Sequence, residues 1–227
     1  IRAALDAGAD AVYFGVKGFN MRAGARNFST SDLPKVVAKV QGAGARAYLT
    51  LNVVVRERDL ASIRRVLRAA RAAEIDGVIA ADFAVLAAAR EEGLPVHAST
   101  QMSVANSTAM RFLLGQGIRR FVLARECSLA DIQRIKKAVM PGTRSGNPKV
   151  QIEAFAHGAM CVSMSGRCFL SYFESGKSAN CGECIQPCRR EYRIVEEREG
   201  QEWVVGKDYI LSPADLCTLP FLERLIA

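Results

Sequence analysis

From the start of the chain to about Phe155, short apolar, β-rich runs alternate with amphipathic helical stretches. Strand candidates lie at 11–14, 46–52, 77–80, 95–98, 120–123 and 151–155, with helix candidates between them at 31–41, 59–73, 83–91, 106–116 and 128–138. Gly8, Gly44, Gly77, Gly93 and Gly117 punctuate the turns before strands. Ser31, Asp59, Asn106 and Ser128 stand where helix N-caps are expected. Such alternation calls for a parallel sheet with helices packed outside it. The expected architecture is α/β, a (β/α)8 TIM-barrel-like fold incomplete at its ends. Its first strand is missing, because Ile1 opens what reads as mid-helix, and the stretch from Phe221 reads as an unfinished helix. A doubly wound open sheet is the alternative. No G-x-G-x-x-G follows the first strand, which argues against a dinucleotide-binding domain.

A barrel carries its chemistry at the carboxyl ends of its strands. Those ends offer Tyr13 and Gly15, Asn52, Asp82, Thr100 and Gln101, Arg125 and Glu126, then Glu153 and His157. Strand ends also turn polar simply on reaching solvent, so the recurrence marks candidates only. Of the two histidines, His97 falls inside an apolar run and reads as a satisfied core residue, while His157 precedes a run of cysteines.

After Phe155 the periodicity stops. The expected division is 1–155 for the barrel portion and 156–227 for a cysteine-rich segment, a hairpin turning at Gly200 and a last helix opened by a capping box at 212–215. Five of the seven cysteines fall between 161 and 188: Cys161, Cys168, Cys181, Cys184 and Cys188. A long segment without regular structure needs a reason, and a metal that replaces a core is one. The spacing C-x6-C followed by C-x2-C-x3-C holds a single C-x2-C pair, where zinc commonly takes two. Iron–sulfur clusters accept four cysteines in varied arrangements. Spacing leaves three states open: an iron–sulfur cluster, zinc, and unligated or disulfide-bonded thiols. Cys127 reads as a small buried apolar residue.

The run Glu153-x-Phe155-x-His157-Gly158-x-x-Cys161, continuing through Ser165-Gly166-Arg167-Cys168 to Ser171, resembles the signature of the peptidase U32 family. Ala9-Asp10-Ala11-Val12-Tyr13-Phe14-Gly15, Asn27-Phe28-Ser29 and Cys184-x-Gln186-Pro187-Cys188-Arg189 carry the same resemblance over essentially the whole chain. It implies either a collagenase-type peptidase or an oxygen-independent hydroxylase with a [4Fe–4S] cluster. Hydroxylases of the family act on a tRNA or rRNA base or on a ubiquinone precursor, with prephenate as an oxygen source for the RNA-modifying members. The implied ligands are Cys161, Cys168, Cys184 and Cys188. Cys181 departs from the family pattern, where Arg is frequent, and Cys217 is a further spare thiol. A family-related partner subunit is also implied.

On these expectations Glu153 and His157 are the candidate proton-handling residues beside the cluster. Tyr13, Asn52, Gln101 and Glu126 line the substrate site, and Arg22 and Arg26 offer bidentate donors to a carboxylate or phosphate. The motifs H-E-x-x-H and G-x-S-x-G are absent from the sequence, which removes the common zinc and serine routes to peptidase activity. The net charge of +8, from 31 Lys and Arg against 23 Asp and Glu, suits an RNA partner and equally a solvated basic surface. With no signal peptide and no apolar run long enough to span a bilayer, a reducing cytoplasm is expected, where clustered thiols favour metal over disulfide.

Overall fold

Every second residue of the strands is apolar and turned toward the helices, and this alternation builds the core. The computed structural model describes residues 1–140, 150–205, 211 and 214–226. Six parallel strands, β1 (Ala11–Gly15), β2 (Arg46–Leu51), β3 (Gly77–Ala80), β4 (Val96–Ala98), β5 (Arg120–Val122) and β6 (Gln151–Glu153), pair in sequence order. Helix α1 (Arg2–Asp6) precedes them, and α2 (Leu33–Gln41), α3 (Leu60–Ala72), α4 (Phe83–Glu91), α5 (Ser107–Gly115) and α6 (Leu129–Val139) connect them. A doubly wound sheet reverses strand order at a switch point. The unbroken order excludes it and gives, among the described residues, a curled half-barrel whose six parallel strands fall at the six strand candidates.

Phe14, Leu49, Leu51, Val78, Ala98 and Phe121 lie on the outer face and are buried under the helices. Truncating a residue as enclosed as Leu49 costs about 2–5 kcal/mol. The opposite residues, Tyr13, Tyr48, Ile79, His97, Arg120 and Glu153, stay outside that cluster and form the inner face.

Helix starts follow local capping, with two corrections. Asn106 accepts from Ala109 N at 2.9 Å, and Ser128 closes a capping box with Asp131, as expected. Ser31 and Asp59 do not cap by the expected bond. A 3-10 turn precedes each helix, and the carboxylates of Asp32 and Asp59 reach back to the amides of Ser29 and Arg56. The hairpin of β8 (Tyr192–Val195) and β9 (Glu202–Val205) forms as expected, with Gly200 left-handed in its turn. Ser212 and Pro213 of the expected capping box lie outside the described residues. The last helix, α8 (Leu222–Ile226), starts only after β10 (Leu216–Cys217) and a 3-10 turn.

On the inner face, His97 stacks edge-on against Tyr48 with ring centroids 4.5 Å apart. Gly77 makes room for it, since a Cβ there would stand 2.9 Å from His97 Nε2. The guanidinium of Arg120 lies 4.9 Å from the centre of the Tyr48 ring. His97 is 7% exposed, and its Nδ1 has no hydrogen-bond partner among the described residues. It is buried as expected but not fully satisfied, because its neighbours are an aromatic ring and two cations.

Burial, then Arg120 and Arg46, lower the His97 pKa from 6.5 to about 4. The unfolded chain takes up the proton near pH 6.5, while the folded chain excludes it until about pH 4. Stability present above that window is therefore lost as the pH falls through it, by on the order of 3 kcal/mol. Urea unfolding followed between about pH 7 and about pH 4 should show this slope in the parent and a flatter one in His97→Gln. Equal slopes would place the responsible proton elsewhere.

Candidate functional site

The loops at the carboxyl edge of the sheet are bound together by one returning segment. Beyond β6 the chain forms β7 (His157–Gly158), passes Cys161 and Cys168, makes the short helix α7 (Leu170–Ser175), and carries Cys181, Cys184 and Cys188 through two 3-10 turns. It touches the rim at several strand ends. Ala23 N donates to Gly182 O at 3.0 Å, beyond β1. Val54 N donates to Asn180 O at 3.0 Å, beyond β2. Arg125, beyond β5, donates to Ser163 O at 3.1 Å. Gly166 lies so close to Gln101, beyond β4, that a Cβ would come within 2.8 Å of its side chain. Asn180 also accepts from Cys168 N at 2.9 Å, tying the two cysteine-bearing stretches together.

The thiols are unequally placed. Burial pushes the Cys188 thiol up first; Cys184 and Cys161 raise it further and Cys168 adds to them, while Arg189 opposes. The four sulfurs implied by the family resemblance are therefore electrostatic neighbours. Cys181 is not among the groups acting on Cys188; its Sγ accepts from Arg56 Nη2 at 3.6 Å. All seven cysteines are free thiols, so no disulfide forms. Among the described residues no three His, Cys, Asp or Glu converge as ligands of one ion would. In donor chemistry, thiols would suit a soft metal. Cys127 packs against the helix-side core, and burial raises its thiol, with Asp131 and Glu126 adding to the effect.

The other predicted residues divide into groups. Asn52 and Gln101 come together: Asn52 Nδ2 donates to Gln101 Oε1 and to Ser99 Oγ, each at 3.4 Å, and Ser99 Oγ donates to Gln101 Oε1. Met21 N donates to Asn52 Oδ1 at 3.3 Å, bringing the loop beyond β1 into the same network. Tyr13 stands on the inner face, 68% exposed. Glu153 is held there by Arg120, with Arg120 Nη1 2.8 Å from its Oε1 and Arg120 Nε donating to Gln151 at 2.8 Å. His157 belongs to a different sheet, and the structure does not join it to Glu153. It lies opposite Cys217 in the antiparallel pair of β7 and β10. Glu126, Arg22 and Arg26 are exposed. Asp82 is structural, accepting from Ala84 N and Val55 N.

Asn20, Arg120, Asn180 and Gly182 escaped the sequence. Asn20, almost fully buried, donates to Val16 O at 2.7 Å and to Asn27 Oδ1 at 3.1 Å. Arg120 opens an apolar run and looks like a solvated strand start. Only its parity with Val122, two residues on, would have placed it on the inner face.

The whole chain, residues 1–227, matches Peptidase family U32, and the chain belongs to that family. It is 42% identical over its full length to a collagenase of Porphyromonas gingivalis, covering 55% of that protein. It is 32% identical, again over its full length, to tRNA hydroxylation protein P1 of Bacillus subtilis, covering 53% of it. Over 87% of the chain it is 34% identical to the 23S rRNA 5-hydroxycytidine C2501 synthase of Escherichia coli, of which it covers 28%. The chain thus spans about half the length of the first two and less of the third. A solved U32 peptidase shares its fold with a TM-score of 0.54 at 17% identity, over 70% of this chain and 66% of that one.

Gly182 is the tightest point of the docked segment. Its φ is +88°, and a Cβ would run into the Asn20 carbonyl, which is backbone and cannot move aside. Gly182→Ala should loosen the segment by about 1–3 kcal/mol. Limited proteolysis should then cut within 156–190 faster than in the parent, with the helix signal in circular dichroism unchanged. Unchanged cleavage would show that the docking does not depend on this contact.

Proposed function

From membership in the U32 family, we propose that the chain is the iron–sulfur portion of an oxygen-independent hydroxylase acting on an RNA base. The observation that carries this is the similarity to proteins named for tRNA and rRNA hydroxylation, and Cys161, Cys168, Cys184 and Cys188 all lie on the one segment docked over the strand ends. Those four would hold a [4Fe–4S] cluster, with zinc as the alternative ion for the same thiols. When bound, such a cluster supplies one-electron transfer. The chain's own residues do the rest. Arg120 fixes the Glu153 carboxylate, which is 37% exposed and so open to a proton from a bound substrate. Asn52 and Gln101 offer amide groups at the strand ends to orient a base or quinone-precursor ring. Arg22 and Arg26, exposed on the loop against which Gly182 docks, would meet RNA phosphates or the carboxylates of prephenate. Two similar proteins named for tRNA and rRNA hydroxylation, together with the +8 charge, favour RNA over a quinone precursor. No helix among the described residues is long and apolar enough to cross a membrane.

A second function is favoured by one observation. Thr218 N donates to Ala156 O at 2.9 Å, which makes His157 and Cys217 a non-hydrogen-bonded cross-strand pair, the closer of the two kinds. Both line a cavity of about 310 Å³ with Leu219 and Leu222, and the buried Thr218 hydroxyl has no partner among the described residues. A thiol beside an imidazole is the minimum for thiol-dependent peptide cleavage, and the P. gingivalis relative is named a collagenase. Gelatin cleavage lost in Cys217→Ser and His157→Ala but kept in Cys161→Ala and Cys184→Ala would establish it.

Anaerobic purification should give brown protein with equal iron and sulfide. Alanine at Cys161, Cys168, Cys184 or Cys188 should remove the colour, while Cys181→Ala and Cys127→Ala should keep it. Mass spectrometry of tRNA and rRNA from a deletion strain should show one hydroxylated nucleoside missing. Colourless zinc-loaded protein, or an unchanged nucleoside profile, overturns the proposal.

A further inference from the structure

Helix α7 is amphipathic with its apolar stripe turned outward. Phe169, Tyr172 and Phe173 sit at i, i+3 and i+4 and are 69%, 54% and 90% exposed. The inward residue is Ser171, 0% exposed, which donates to Lys177 O at 2.8 Å and accepts from Ile185 N at 3.2 Å. The helix is thereby pinned through a hydroxyl to the residue after Cys184, and Phe169 directly follows Cys168. Three aromatic rings left in water forgo a large burial gain and mark a contact surface.

The charge around the stripe indicates the partner. Arg167 and Lys177 flank the helix, both exposed and neither with an ion-pair partner among the described residues. The one acidic residue of the helix, Glu174, is neutralised by Arg190. Rings bracketed by free cations are the combination that binds single strands, where unstacked bases lie on aromatic faces and phosphates meet the cations. A protein interface, by contrast, excludes charge from its centre.

We propose that Phe169, Tyr172 and Phe173 form a stacking platform for unpaired RNA nucleotides on the segment that carries Cys168 and Cys184, with Arg167 and Lys177 holding the flanking phosphates. This rests on the RNA-directed function above and adds how the substrate strand is gripped. Duplex RNA keeps its bases stacked internally, so the platform selects single-stranded loops.

Fluorescence anisotropy with a labelled oligouridylate of about 12 nucleotides, against a duplex of equal length, tests it. The single strand should bind tighter. Each of Phe169→Ala, Tyr172→Ala and Phe173→Ala should weaken it about tenfold with the salt slope unchanged. Arg167→Gln and Lys177→Gln should each reduce that slope by about 0.7. Iron content should stay at the parent value throughout. Single-strand affinity indifferent to all three ring substitutions overturns the platform, as does equal loss on the duplex. A parent dimer that becomes monomeric in the ring variants also overturns it, since the surface would then belong to a second copy. Ring-dependent binding beside an unchanged nucleoside profile in the deletion strain would leave the platform standing and remove only the hydroxylase chemistry.

Discussion

Two backbone hydrogen bonds, Ala23 N to Gly182 O and Val54 N to Asn180 O, hold the cysteine-bearing return across the rim of the sheet. Each joins a loop at one strand end to residues beside Cys181, and Asn180 also binds Cys168 N. A segment with so little regular structure has few apolar contacts to fix its path. Its order therefore comes from main-chain pairing with a rigid scaffold, and the scaffold comes from the helix-covered face of the half-barrel. Placement of the thiols depends on placement of the strands in this way.

The sheet separates two tasks. Its outer face is apolar and closes against helices, so the hydrophobic core lies on the side away from the residues facing inward. The inner face can then carry an imidazole whose Nδ1 has no partner among the described residues, a guanidinium over a ring, and a partly exposed carboxylate. Each is costly to bury, and sites of chemistry are where such costs gather.

Most of the scaffold was legible because period-2 burial and helical periodicity are local signals. The strands from Ala11 to Glu153 fall where apolar runs lie, and Asn106 and Ser128 cap as their side chains dictate. Ser31 and Asp59 misled because a 3-10 turn displaces a helix start by a few residues without altering composition. The antiparallel pairing of β7 with β10 was not legible, since pairing is a long-range property. In the site, the set of Cys161, Cys168, Cys184 and Cys188 is an expectation from family resemblance; spacing alone leaves zinc and disulfides open. The Asn52–Gln101 link was expected only as two strand ends pointing the same way. Arg120 was hidden because only its parity with Val122 marks it as inward, and Asn180 because nothing beside it distinguishes a docking residue from a solvated one.

The pairing of Arg120 with Glu153 has a consequence for how this chain can vary. The guanidinium is only slightly exposed and is shared among Tyr48, Gln151 and one carboxylate. Replacing Glu153 alone leaves a largely buried cation without its carboxylate, while replacing Arg120 alone leaves a partly exposed carboxylate without its donor. The two positions share one ion pair, so the effects of changing both should not be the sum of the effects of changing each.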